Sequence, residues 1–117
     1  MAPEEDVLVF LSDFKTKMNI WSIIFLDDRA KNTSTLALLE IPPIQRKKII
    51  EQLQLQDFSD GPIQDNMNIG SDLWIFGKVI KQNEIYIKIS LGHPGKSTIC
   101  ISFHTAEHAM KYPYKKN

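Results

Sequence analysis

The sequence predicts an α+β fold: one domain in which N-terminal helices pack on a mainly antiparallel, twisted sheet. Three observations predict it. A chain of 117 residues with 43% apolar side chains has material for one core and is too short for two ordinary domains. Apolar residues recur at helical spacing through the first half. Between residues 73 and 103, three strand-like runs, of which the second and third alternate apolar and polar residues, are separated by short polar turns, the pattern of an antiparallel meander.

Pro3 followed by Glu4, Glu5 and Asp6 suits a helix start, with acids near the positive end of the helix dipole. Leu8, Phe10, Leu11, Phe14 and Met18 supply its buried face, and the helix is expected to end near Lys17. Ile20 to Leu26 is rich in β-branched and aromatic residues and reads as a buried strand closed by Asp27 and Asp28. A short helix between Asn32 and Leu39, capped by Thr33 or Ser34, is stopped by Ile41-Pro42-Pro43. Gln45 to Leu53 resumes as helix with Ile44, Ile49, Ile50 and Leu53 inward. Arg46, Lys47, Lys48 and Glu51 face outward, a pattern that more often marks a solvated face than a binding patch.

Gly61, Pro62 and Gly70, set among Ser, Asp and Asn, make Asp57 to Asp72 a long loop, expected to be mobile over about 59–72. The strands of the meander are Leu73–Ile80, Glu84–Leu91 and Thr98–Phe103. A short turn or helix over Thr105 to Lys111 precedes a frayed tail, 113–117.

Several function classes are disfavoured. Asp13, Lys15 and Lys17 interrupt the only long apolar approach, so no membrane span is expected, and the acidic N-terminus does not resemble a secretory signal; the cytoplasm is the expected location. Cys100 is alone and the three histidines are scattered, so neither a disulfide scaffold nor a metal site is expected, and no cofactor is implied. No Gly-rich phosphate loop or nucleophile elbow is present. Net charge is zero, yet residues 1–73 carry 7 basic against 12 acidic side chains, and residues 74–117 carry 7 lysines against Glu84 and Glu107. The basic half is suited to RNA or an acidic partner, or serves as a solubilising surface.

Period-2 alternation sorts the meander into faces. Ile85, Ile87 and Ile89 point one way; Tyr86, Lys88 and Ser90 point the other. In the last strand Ile99, Ile101 and Phe103 oppose Cys100, Ser102 and His104. A one-residue slip would put an apolar set in water, so the pairing keeps Ile opposite Ile. One register compatible with this, with a five-residue turn from His93 to Ser97, sets Lys88 opposite Ser102 and Tyr86 opposite His104. The first hairpin is open to two readings. A three-residue loop, Lys81 to Asn83, puts Trp74, Phe76 and Lys78 on the polar face, whereas a two-residue turn at Gln82-Asn83 reverses this. The three-residue loop is favoured because it keeps Lys78 out of the core and offers aromatic surfaces for stacking RNA bases. Metal-independent RNA cleavage needs a base for the 2′-hydroxyl, an acid for the departing 5′-oxygen and cations on the phosphate. His104 and Tyr86 suit the proton transfers, with Lys88 and Lys78 gripping phosphate.

Leu55-Gln56-Asp57-Phe58, Leu73-Trp74, Ile85-Tyr86-Ile87-Lys88-Ile89 and Ile101-Ser102-Phe103-His104, in this order, resemble the C-terminal half of the MqsR toxins. The order of elements before them is also similar, so the resemblance runs over most of residues 8 to 104. It implies a RelE-like α/β fold and a type II toxin–antitoxin role. The activity would be cleavage of mRNA, neutralised by an antitoxin expected to contain a helix-turn-helix. The family's functional tyrosine matches Tyr86, while its two lysines fall on His104 and Asp60 and its glutamine on Ile75. The resemblance and the alternation together nominate Tyr86, His104 and Lys88 as catalytic, and Lys78, Trp74, Phe76 and Ser102 as RNA-binding. The alternative is an RNA- or protein-binding domain on the same fold without catalysis.

Overall fold

The computed structural model describes residues 1–27 and 30–116. Asp28, expected at the end of the first strand, and Asn117 of the tail lie outside these residues. Three helices, α1 (Glu4–Trp21), α2 (Ala30–Leu39) and α3 (Gln45–Glu51), combine with five strands. The strands are β1 (Ile23–Phe25), β2 (Phe58–Ile63), β3 (Leu73–Ile80), β4 (Asn83–Ser90) and β5 (Thr98–Thr105). They form one mixed sheet in the order β1-β5-β4-β3-β2; β1 runs parallel to β5 and every other pair is antiparallel. The expected α+β domain with N-terminal helices on a mainly antiparallel sheet is what forms.

The core lies between α1 and one face of the sheet. Val7, Phe10, Leu11, Phe14 and Met18 of α1 pack with Phe58, Phe76, Ile85, Ile87, Ile89 and Phe103. At about 1.5–3 kcal/mol per fully buried large side chain, this layer is the main stabilising element of the fold. The helix runs four residues past its expected end, because nothing between Lys17 and Ser22 breaks it. Ile20 and Trp21, read as strand, are exposed on its last turn.

The β3–β4 hairpin overturns the favoured loop. Ile80 pairs with Asn83, so the turn has two residues, Lys81 and Gln82, both at positive φ (48° and 70°). Such a turn matches the twist of the flanking strands, at some cost for residues other than glycine or asparagine. Register then puts Trp74 opposite Ile89, Phe76 opposite Ile87 and Lys78 opposite Ile85, all on the core face. Burying two aromatics of 150–250 Å² each outweighs about 1–2 kcal/mol per left-handed residue.

The predicted loop is shorter than expected. Phe58–Ile63 pairs with β3 across two irregularities, as the edge strand on which a proline is tolerated. The rest of the loop is organised by Asp65, whose carboxylate accepts the N–H groups of Met67, Ile69 and Gly70 at 3.2, 3.0 and 2.7 Å. β5 also runs further than expected, to Thr105, and among the described residues no helix follows it. The tail is anchored at Tyr114, which stacks on Phe58 (5.9 Å between centroids) and donates to the Ala2 carbonyl at 2.6 Å.

Two buried polar groups explain the far edge. β1 covers β5 only as far as Cys100. Beyond it, buried Asn32 of α2 donates to the Leu26 and Ile101 carbonyls and accepts from Phe103 N–H, and Thr35 accepts from Thr105 N–H. Side chains thus finish the edge that a longer strand would otherwise pair. Arg46, expected outward, is 2% exposed. Its guanidinium holds Asp27 with two bonds (2.6 and 2.9 Å) and lies 3.9 Å over the Phe25 ring.

Candidate functional site

The opposite face of the sheet carries the chemistry-bearing residues. Tyr86 pairs directly with His104 and Lys88 with Ser102, the register that alternation predicts. A register shift between Lys88 and Ile89 inserts Ile101 as a bulge. Parity therefore changes along β5: Cys100 pairs with Ile89 and faces the core, not the side of Ser102 and His104. Burial pushes its thiol up to about 12.

The Tyr86 and His104 rings stack with centroids 5.1 Å apart and planes 12° apart. His104 Nδ1 lies 2.9 Å from the Thr105 carbonyl oxygen. That oxygen only accepts, so Nδ1 donates this bond, and in the neutral imidazole Nε2 is then the acceptor. Both rings, with Lys88, Ser102 and Ile75, floor a cavity of about 960 Å³. Ser59 and Asp60 of β2 stand on one side, Lys31 of α2 on another, and Glu107 to Pro113 form a wall. Ser102 is 1% exposed, the most deeply set of these groups.

The other nominated residues lie elsewhere. Phe76 is fully buried, and Trp74 stacks on Phe10 at 4.4 Å and 11°, so neither offers a platform for bases on the polar face. Lys78 reaches Asp57 at 3.1 Å and borders a separate, smaller recess. The two-residue turn is the physical cause of all three displacements.

All four positions singled out by the resemblance to MqsR toxins, Asp60, Ile75, Tyr86 and His104, border the same cavity. No family model, curated protein or solved structure matches the chain.

Strand alternation did not reveal Lys31, Glu107, His108 and Lys111, which also line the cavity. Lys31 comes from a helix more than fifty residues earlier, and the other three come from an irregular segment. Neither source has a periodicity that points at the sheet. Lys31 pairs with Glu107, and that contact, with weaker help from the charges of His104 and His108, holds the Glu107 carboxyl below its ordinary range. Among the described residues, no group of three or more His, Cys, Asp or Glu side chains is arranged to hold a metal ion, and no helix is long and apolar enough to cross a membrane.

Proposed function

We propose that this protein is a toxin of a type II toxin–antitoxin pair, of MqsR type with a RelE-like fold. In this reading it cuts mRNA in the cytoplasm without a metal until an antitoxin, expected to contain a helix-turn-helix, neutralises it. The observation that carries the reading is the stacked Tyr86–His104 pair beside Lys88, in a cavity bordered by all four positions of the resemblance.

The chemistry follows from the groups present. His104 Nε2 takes the proton of a 2′-hydroxyl, whose oxygen attacks the adjacent phosphorus. The bond from phosphorus to the 5′-oxygen breaks, and the Tyr86 hydroxyl supplies the proton this oxygen needs. Lys88 balances charge on the phosphate as it builds. The products are a 2′,3′-cyclic phosphate and a 5′-hydroxyl, and proton return from His104 through water to Tyr86 restores the site.

Induced expression of the double variant His104→Ala, Tyr86→Phe tests this reading. Growth arrest and RNA cleavage are expected to vanish while circular dichroism and the unfolding midpoint stay close to those of the parent. Undiminished toxicity rejects the site. A second reading, a non-catalytic RNA- or protein-binding domain, is favoured by Asp60 and Ile75, which put a carboxylate and an apolar chain where the family has a lysine and a glutamine. It predicts RNA affinity that falls with salt and no cleaved product.

A further inference from the structure

Beyond β5 the chain turns back across the polar face of the sheet and walls the cavity. From Met110 onward it is firmly held. Glu84 accepts the Met110 N–H at 3.2 Å and the Tyr112 hydroxyl at 2.8 Å through its two carboxylate oxygens. Tyr112 fills the space above Gly77, where an added Cβ would come within 2.2 Å of the phenol oxygen. At the near end, the Ala106 N–H donates to the Glu84 carbonyl at 2.8 Å. Between these anchors the segment meets α2 through the ion pair of Glu107 with Lys31, whose side chains are 55% and 64% exposed. Exposed pairs of this kind are weak and exchange readily with other ions.

Lys31 borders the same cavity as His104 and Lys88, and it sits in the first turn of α2, where helix N–H groups favour negative charge. The site thus already binds one anion, and that anion is a side chain of the protein itself. A phosphodiester and a carboxylate are alternative partners for one ammonium group. Release of Glu107 exposes it to water, where a carboxylate is well solvated.

We propose that Glu107 stands in for substrate phosphate at Lys31, and that an incoming phosphodiester displaces it. Lys31 is then a phosphate-binding residue, and residues 107–109 form a flap freed by the exchange. The inference rests on reading the cavity as an RNA site.

The test measures binding of a fluorescein-labelled 2′-O-methyl RNA hexamer, which has no 2′-hydroxyl to attack, by anisotropy at several salt concentrations. Glu107→Gln frees Lys31 and is expected to tighten binding by roughly threefold, the scale of an exposed ion pair. Lys31→Ala is expected to weaken binding and lower the slope of log affinity against log salt by about 0.7, the value for one contact on a single strand. Lys31→Arg should retain both affinity and slope. The double variant Lys31→Ala, Glu107→Gln should bind no tighter than Lys31→Ala alone, since Glu107 acts through Lys31. Unchanged affinity in Glu107→Gln, or an unchanged slope in Lys31→Ala, overturns the inference even if the parent protein binds the hexamer and cuts ordinary RNA. No binding by the parent overturns the RNA reading of the cavity, and this inference with it.

Discussion

The imidazole of His104 lies flat against the phenol of Tyr86, with centroids 5.1 Å apart, at directly opposed positions of β4 and β5. The stack has two separable consequences: it orients the imidazole, and it places a hydroxyl beside it. Tyr86→Phe keeps the ring and removes the hydroxyl; Tyr86→Ala removes both. With the hydroxyl as proton donor, both variants should lose on the order of 10²-fold or more in the cleavage rate of a purified RNA. Near-full activity in Tyr86→Phe with loss in Tyr86→Ala would assign the ring to positioning alone.

Cys100 tests the bulge at Ile101. Strict alternation puts its thiol on the side of His104, whereas the bulge turns it into the core, 1% exposed. With the thiol pushed up to about 12, little nucleophilic thiolate exists in the folded protein at pH 8. Labelling by a disulfide reagent should therefore proceed at the unfolding rate and accelerate in urea. Prompt labelling of the native protein would contradict the register.

Gly77 and Tyr112 should be energetically coupled. A methyl group at Gly77 has no room beneath the phenol, so Gly77→Ala is expected to destabilise by about 1–3 kcal/mol, the usual cost of overpacking. Adding Tyr112→Ala removes the clash, and urea unfolding should show the double variant more stable than the sum of the single effects, with a coupling of roughly 1 kcal/mol.

The Arg46–Asp27 pair is unequal. Arg46 is 2% exposed, while the Asp27 side chain is 45% exposed. Asp27→Asn leaves a guanidinium charge in the core and is expected to cost about 2 kcal/mol, below the full figure for a buried pair because water reaches the carboxylate. Arg46→Met leaves a carboxylate that water can solvate, so it should cost less. The hydrogen bond from Arg46 holds the Asp27 carboxyl below its ordinary value of 3.8. Its contribution is therefore complete above about pH 4 and lost as pH falls through the lowered folded value. The acid limb of a stability–pH curve should flatten in Asp27→Asn.

Alternation in β4 and β5 puts Tyr86, Lys88, Ser102 and His104 on one face, because a one-residue slip would expose Ile85, Ile87 and Ile89. A register that also assumes a five-residue turn pairs Tyr86 with His104 and Lys88 with Ser102 as observed, but departs from the structure beyond the bulge at Ile101. Helical spacing likewise marks Phe10, Leu11, Phe14 and Met18 as the apolar side of α1, but the helix is rotated so that Val7 is buried and Leu8, expected with them, is exposed. The side of β3 was not legible, since it depended on whether α1 gained more from Trp74 and Phe76 than a strained Lys81-Gln82 turn lost. Nor were the burial of Arg46 and the Cys100 parity, set by partners on other elements. The cavity wall was equally hidden: Lys31 and Glu107 meet across 76 positions of chain. Local pattern states which side chains share a face, and only contacts between distant segments decide what covers that face and which charges meet over it.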